Sequence, residues 1–148
     1  MKFEYIEDEE FFKKLLCSGE ETLEKYKSIF DFRSPKVKRI EFNKVRNEVF
    51  RKIKALYGKV CILEYPKICN PKSGFVLDHL IPLSSNKLNK ELRKIKAVKG
   101  KKVQSQSFGS NHLNNLIMAC KKCNSHKKHR FLKKEKIQHI LRFKSIKH

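Results

Sequence analysis

Apolar positions change rhythm along this chain. Over residues 8–32, Phe11, Phe12, Leu15 and Leu16 form one apolar face, Gly19 interrupts it, and Leu23, Tyr26, Ile29 and Phe30 resume it. That spacing predicts helix with a break in the middle. Arg33-Ser34-Pro35 is a junction in which Ser34 suits a helix N-cap and Pro35 a first helical position. Val37, Ile40, Val45, Val49, Ile53 and Leu56 then recur every few residues and predict an amphipathic helix ending at Gly58. After Gly58 the rhythm gives way to short apolar runs. Val60 to Tyr65 and Phe75 to Ile81 read as strands around a loop punctuated by Pro66, Pro71 and Gly74. Residues 84–111 are polar, with helical spacing around Leu88, Leu92 and Ile95. Asn115 to Ala119 reads as another strand, followed by a basic helix from about Lys121 and a last helix over roughly Lys134 to Lys144. No internal repeat is visible, and the mixture of elements predicts an α+β chain.

Length and charge narrow the reading. At 148 residues the chain is one ordinary domain, or a compact domain with an arm. Its 36 Lys+Arg against 15 Asp+Glu give a net charge of +21. The excess is unevenly placed: residues 1–24 hold eight acids and three lysines, so the remainder is more basic still. Such a field attracts polyanions, and a nucleic-acid phosphate backbone explains it more simply than an anionic membrane, for which no long basic helix faced with Trp, Phe or Leu is present. Lys38, Arg39, Lys44, Arg46, Arg51, Lys52 and Lys54, on the polar side of the 35–57 helix, fit either a solvated face or a phosphate-binding one. Asp8, Glu9 and Glu10 fit the favourable interaction of acids with a helix N-terminus better than an intramolecular mimic of phosphate. No segment is apolar over the length a bilayer span needs. The acidic start MKFEYIEDEE is unlike a secretory signal. A reducing cytoplasm is therefore expected, where five cysteines read as metal ligands or buried thiols.

Two segments carry chemistry. In the first, Asp78 and His79 are adjacent at the end of an apolar run. A carboxylate offers a hard oxygen ligand for Mg²⁺ and an imidazole a general base near neutral pH, although an Asp-His pair alone equally fits a hydrogen-bonded strand end. In the second, Cys120 and Cys123 have the spacing of half a tetrahedral zinc site. The other half would come from Cys61 and Cys69, whose separation is wide for a zinc knuckle. The alternative leaves Cys61 buried in a strand and Cys69 free. Cys17 reads as a core thiol. Asn124 offers a neutral oxygen ligand, and Asn115 is placed to orient a neighbouring loop by side-chain hydrogen bonds. His112 and His126 are open to functional or ordinary surface roles, while His129, His139 and His148 lie among lysines and read as solvated.

Taken in order, Asp78-His79-x-Ile81-Pro82-Leu83-Ser84, then Gly109-Ser110-Asn111, then Asn115-Leu116-x-x-x-Cys120-x-x-Cys123-Asn124-x-x-Lys127 resembles the HNH endonucleases, in the variant whose last signature residue is Asn. Tyr57 to Cys61 resembles the approach to that family's first cysteine. The resemblance covers residues 57–130 and departs from the pattern in lacking a first Cys-x2-Cys. It implies a ββα-metal core at 57–132, between an N-terminal helical region at 1–56 and a basic C-terminal helix at 133–148. It implies a metal-dependent cut of DNA leaving 5′-phosphate and 3′-hydroxyl ends. His79 would be the general base, Asp78 and Asn124 would hold Mg²⁺ or Mn²⁺, and Asn115 would hold the loop that orients His79. In family members with a cysteine cage, Zn²⁺ is structural, here through Cys61, Cys69, Cys120 and Cys123. The long basic loop 84–111 reads as a DNA-backbone arm. Lys87, Arg93, Lys94, Lys101 and Lys102 in that loop, with Lys121, Lys127 and Lys128 beyond it, are the candidate DNA contacts. A homodimer through Phe11, Phe12, Leu15 and Leu16 is one use of that face, and packing within the chain is the other. A zinc-stabilised nucleic-acid binder without catalysis fits the charge and the cysteines, but leaves the placement of Asp78, His79, Asn115 and Asn124 unexplained.

Overall fold

In the computed structural model, residues 1–147 are described, with the side chains of 146 and 147 left aside; His148 lies outside the described residues. The chain is α+β. Helices α1 (Ile6–Leu16), α2 (Pro35–Tyr57), α3 (Lys87–Glu91), α4 (Lys121–Lys127) and α5 (Lys134–Lys147) surround the strands β1 (Phe75–His79), β2 (Ser84–Ser85), β3 (Gln106–Ser107) and β4 (Leu116–Cys120). β1 and β4 pair antiparallel, with Asp78 opposite Ile117 and His79 opposite Leu116; β2 pairs with β3. No helix among the described residues is long and apolar enough to cross a membrane.

The β1–β4 pair is the centre of the molecule, and β4 is buried along its whole length. Alternation along a strand sends successive side chains to opposite faces. Leu116 and Met118 accordingly pack with Phe42 and Ile53 of α2, whereas Ile117 and Ala119 join the larger core against α1 and α5. That larger core is aromatic: the Phe12 ring lies 5.0–5.7 Å from the rings of Phe3, Phe30, Phe108 and Phe131. Phe12 and Leu16 are fully enclosed, so the apolar face of α1 packs within its own chain and is not open for dimerisation.

Several predicted elements are corrected. The helical stretch 8–32 is α1 followed by a 3-10 segment, Leu23–Ile29, with Gly19 between them at φ +58°. Pro35 opens α2 and Gly58 closes it as expected, but the Ser34 side chain makes no capping hydrogen bond. The buried face of α2 is only partly the predicted one. Ile53 is buried and Val49 half-buried as expected, but Lys38 and Phe42 complete the face, and Val37, Ile40, Val45 and Leu56 stay exposed. An apolar count misplaced part of the face because a lysine occupies one of the inward positions. Val60 to Tyr65 is not a strand. Its backbone turns at Glu64 (φ +47°) and again at Lys67 (φ +64°), a path that no ladder tolerates.

Loop 84–111 is not one free arm. It contains β2, α3 and β3, and Asn89 Nδ2 donates to Gln104 O at 2.7 Å to close its base. Its exposed basic residues are Lys90 and those of Lys94–Lys102.

Candidate functional site

Sequence order places Asp78 and His79 at the last two positions of β1, and Asn124 in the first turns of α4, which follows β4 without a linker. Pairing of β1 with β4 brings these ends together. Asp78, His79, Asn124, Lys127, Lys128, Arg39, Ser84 and His129 line one cleft of about 320 Å³. Three of the four predicted central residues therefore share a cavity, and the fourth builds it. His129, read as simply solvated, stands at its rim.

Asn115 is fully buried at the end of a 3-10 turn, Leu113–Asn115. Its Oδ1 accepts from Ile81 N–H at 2.8 Å; its Nδ2 donates to Ile81 O at 3.0 Å and to Ser110 O at 2.8 Å. Its own carbonyl accepts from Leu80 N–H at 2.8 Å. One side chain thus straps the segment after His79 to the segment before β4. Gly109 makes this possible, because a Cβ there would lie 1.9 Å from Ile81 O.

His79 is held on two sides. Its ring meets Phe42 of α2 edge-on, with centroids 5.0 Å apart. Its Nε2 lies 2.9 Å from Asn111 Oδ1, and Asn111 Nδ2 donates to Lys38 O at 2.8 Å. That second bond fixes which end of the Asn111 amide is oxygen. Nε2 of neutral His79 therefore carries the proton and Nδ1 keeps the lone pair, an assignment that follows from the hydrogen-bond network. Burial holds the imidazole below the usual histidine range, against the opposing influence of the Asn111 bond and the Asp78 charge. Asn111 was present in the sequence pattern as part of Gly-Ser-Asn, but nothing in a linear motif shows that it reaches a histidine 32 positions away.

Asp78 is nearly buried, and its Oδ2 accepts no aligned hydrogen bond. The Lys127 ammonium lies 3.1 Å from that oxygen and donates to His79 O at 2.9 Å. Lys127, expected among the DNA contacts, is corrected: it is buried at 1% exposure and is an internal counter-charge for Asp78 and a brace for His79. The Asn124 carboxamide makes no hydrogen bond to another described residue. Asp78 and Asn124 thus bring a carboxylate and a carboxamide, both oxygen donors, to the lining of one cleft.

The four cysteines converge. The sulfurs of Cys61, Cys69, Cys120 and Cys123 all lie within 4.8 Å of one another. A tetrahedral zinc with Zn–S bonds of ~2.3 Å needs S···S edges of ~3.8 Å, so the cluster can hold a metal ion such as zinc. The wide interval between Cys61 and Cys69 is shortened by a turn in which Tyr65 O accepts from Ile68 and Cys69 N–H. Burial opposes ionisation of Cys120, but the Cys123 and Asn70 amides point at its sulfur, at 3.3 and 3.4 Å, and bring it down to about 6. His126 takes no part and packs edge-on to Tyr65; His112 Nδ1 accepts from Asn114 N–H and caps the local turn.

Of the other predicted DNA contacts, Lys94, Lys101, Lys102, Lys121 and Lys128 are exposed and Lys87 is half-buried. Arg93 is corrected. It is only 14% exposed and bonded to Asp8 at 2.8 and 3.2 Å, to Glu7 and to Gln106, with Tyr5 stacked beside it. Asp8 is therefore more than a helix-dipole residue: it neutralises one charge of the basic loop.

The chain matches no protein-family model, and neither the curated proteins nor the solved structures compared with it include a match.

Proposed function

We propose that this protein is a metal-dependent endonuclease of the HNH type, hydrolysing DNA phosphodiester bonds to 5′-phosphate and 3′-hydroxyl ends. The observation that carries the reading is the shared cleft: Asp78, paired with the Lys127 ammonium, His79, whose Nε2 is engaged by Asn111, and Asn124, whose carboxamide makes no hydrogen bond among the described residues, all line it.

In this reading Asp78 and Asn124 hold the hard cation. Such an ion neutralises charge on the scissile phosphate and on the departing 3′ oxygen. His79 takes the proton of the attacking water at Nδ1, while Asn111 keeps the proton on Nε2 and stops the ring from turning. Asn115 touches no substrate. It fixes the Leu80–Ile81 backbone and hence the end of β1. Lys127 balances Asp78 when the cation is absent and continues to support the His79 carbonyl.

Nicking of supercoiled plasmid in Mg²⁺ or Mn²⁺ tests the reading. The native chain is expected to nick only with the added cation, and His79→Ala to lose at least a hundredfold in rate, the lower bound of general-base catalysis (~10²). Binding without any cation-dependent nicking would leave a non-catalytic nucleic-acid binder.

A further inference from the structure

Helix α2 lies outside the segment that suggested the activity, and its charged face fits a solvated surface as well as a binding one when only the sequence is considered. Its position in the fold decides between them. The cleft holding Asp78 and His79 adjoins a second one, lined by Phe42, Arg46, Asn47, Phe50, Phe75, Val76, Leu77 and Asn124. Leu77 and Asn124 line both, so the two clefts lie side by side. β1 and α4 form one wall. The other is α2, with Arg39 at the first cleft and Arg46 at the second.

The arginines of the molecule differ in how their charge is used. Arg33 is clamped between Asp31 and Glu41, and Arg93 between Asp8 and Glu7. Arg39 and Arg46 have no carboxylate partner among the described residues. Instead, neutral groups aim them: Arg39 donates to Ser84 Oγ at 3.2 Å, and Arg46 donates to Asn43 Oδ1 at 2.8 Å while lying over the Phe42 ring. The acids of α2 are occupied elsewhere, Glu41 on Arg33 and Glu48 on Lys52. Two guanidiniums with uncompensated charge thus border the groove.

The register of this wall is fixed. Phe42 packs on the His79 ring, and Lys38 O holds the Asn111 amide that holds His79. Inside, the Lys38 ammonium donates to Asp31 O, Leu83 O and Gly109 O, tying α2 to the loops on either side of the site. Seven residues of helix separate Arg39 from Arg46 by about 10 Å along the axis, close to the rise of three nucleotides in one strand.

We infer that α2 is the second wall of a nucleic-acid groove, in which Arg39 and Arg46 hold two backbone phosphates of a DNA duplex beside the phosphate that faces His79. The inference rests on the reading of the cleft as a phosphodiester site and assigns to that site a strand-holding element. Guanidinium forks suit phosphate oxygens, and contacts of this kind position a duplex without reading its sequence.

The test is duplex binding by the full chain, in Ca²⁺ to suppress turnover, followed by fluorescence anisotropy across a salt series on two duplexes of unrelated sequence. Arg39→Ala/Arg46→Ala is expected to weaken binding equally on both and to flatten the plot of log K against log salt by about 1.8, at ~0.9 per phosphate contact. Arg39→Lys/Arg46→Lys should keep the native slope, since charge is retained. Lys13→Ala/Lys14→Ala, two exposed lysines of α1 remote in sequence from the groove, should also keep it. A native slope in the arginine double-alanine variant, or an equal loss in the α1 variant, overturns the assignment. Plasmid nicking by the native chain separates this from the catalytic reading: a flattened slope without nicking keeps the groove and removes the hydrolase, whereas nicking with an unchanged slope does the reverse.

Discussion

Among the described residues, three lysines lie inside this very basic protein, and each directs its ammonium at backbone carbonyl oxygens. Lys127 braces His79 O, and Lys144 braces Leu116 O at 2.7 Å, so the last rung of the β1–β4 ladder is held from both strands. Lys38 gathers three carbonyls around the loops behind it. Burying an ammonium costs solvation, and the carbonyl bonds only partly offset this. Burial accordingly pushes both Lys38 and Lys144 down to about 8. An unfolded lysine titrates near 10.4, so between pH 8 and 10 these two lysines bind more protons in the unfolded chain than in the folded one and contribute stability that rises with pH, opposed by the thiols of Cys17, Cys69 and Cys123, which burial raises. Burial raises the Tyr57 phenol, which reverses the trend above about pH 10. Across urea midpoints measured from pH 7.5 to 10, Lys144→Met should lose part of the upward contribution, so its profile should run less steeply upward than the native one. Parallel profiles for the two chains would contradict the assignment.

At the scale of elements, β1, β4 and α4 are short, of five, five and seven residues, and none would persist alone. The cysteine cluster joins the 61–69 turn to the junction of β4 with α4. It fixes the end of the hairpin opposite to the one carrying His79, since Cys120 pairs with Phe75 and His79 with Leu116. A metal held there stabilises the hairpin by linking segments more than fifty residues apart. The purified chain is expected to carry one zinc, and a strong chelator should lower its thermal midpoint by about 10 °C, equivalent to a few kcal/mol for a domain of this size. Cys69→Ser should reproduce most of that fall, and equal melting with and without chelator would remove the structural metal. The sequence revealed the Cys120–Cys123 half through its spacing. The other half was ambiguous because the path of residues 61–69 depends on positive-φ turns at Glu64 and Lys67, for which neither residue is a signal. For the same reason Val60–Tyr65 looked like a strand: apolar content was legible and backbone direction was not.

Across the whole molecule, the acidic start and the basic remainder meet in one buried contact. Asp8 is 1% exposed and bound to Arg93, 85 positions away, so α1 anchors the basic loop whose exposed lysines lie just beyond. Breaking a buried pair leaves a charge without compensation, at a cost of about 3–5 kcal/mol. Asp8→Ala should therefore lower the urea midpoint strongly, and Asp8→Leu/Arg93→Met should recover most of the loss. Equal destabilisation of the single and double variants would show that the pair is not the cause. Composition, charge and the ordered motif were local properties, so the sequence by itself determined the α+β character, the strongly positive charge, the two strands of the central hairpin and the candidate residues Asp78, His79, Asn115 and Asn124. Which basic residues remain free was decided only by tertiary structure. Lys38, Lys127 and Arg93 are indistinguishable in sequence from Arg39, Arg46 and Lys128, because whether a cation meets a carbonyl, a carboxylate or water depends on backbone brought in from distant parts of the chain. Asn111 belongs with them: its partner is chosen by the packing of α2 across the hairpin, a contact that no local pattern encodes.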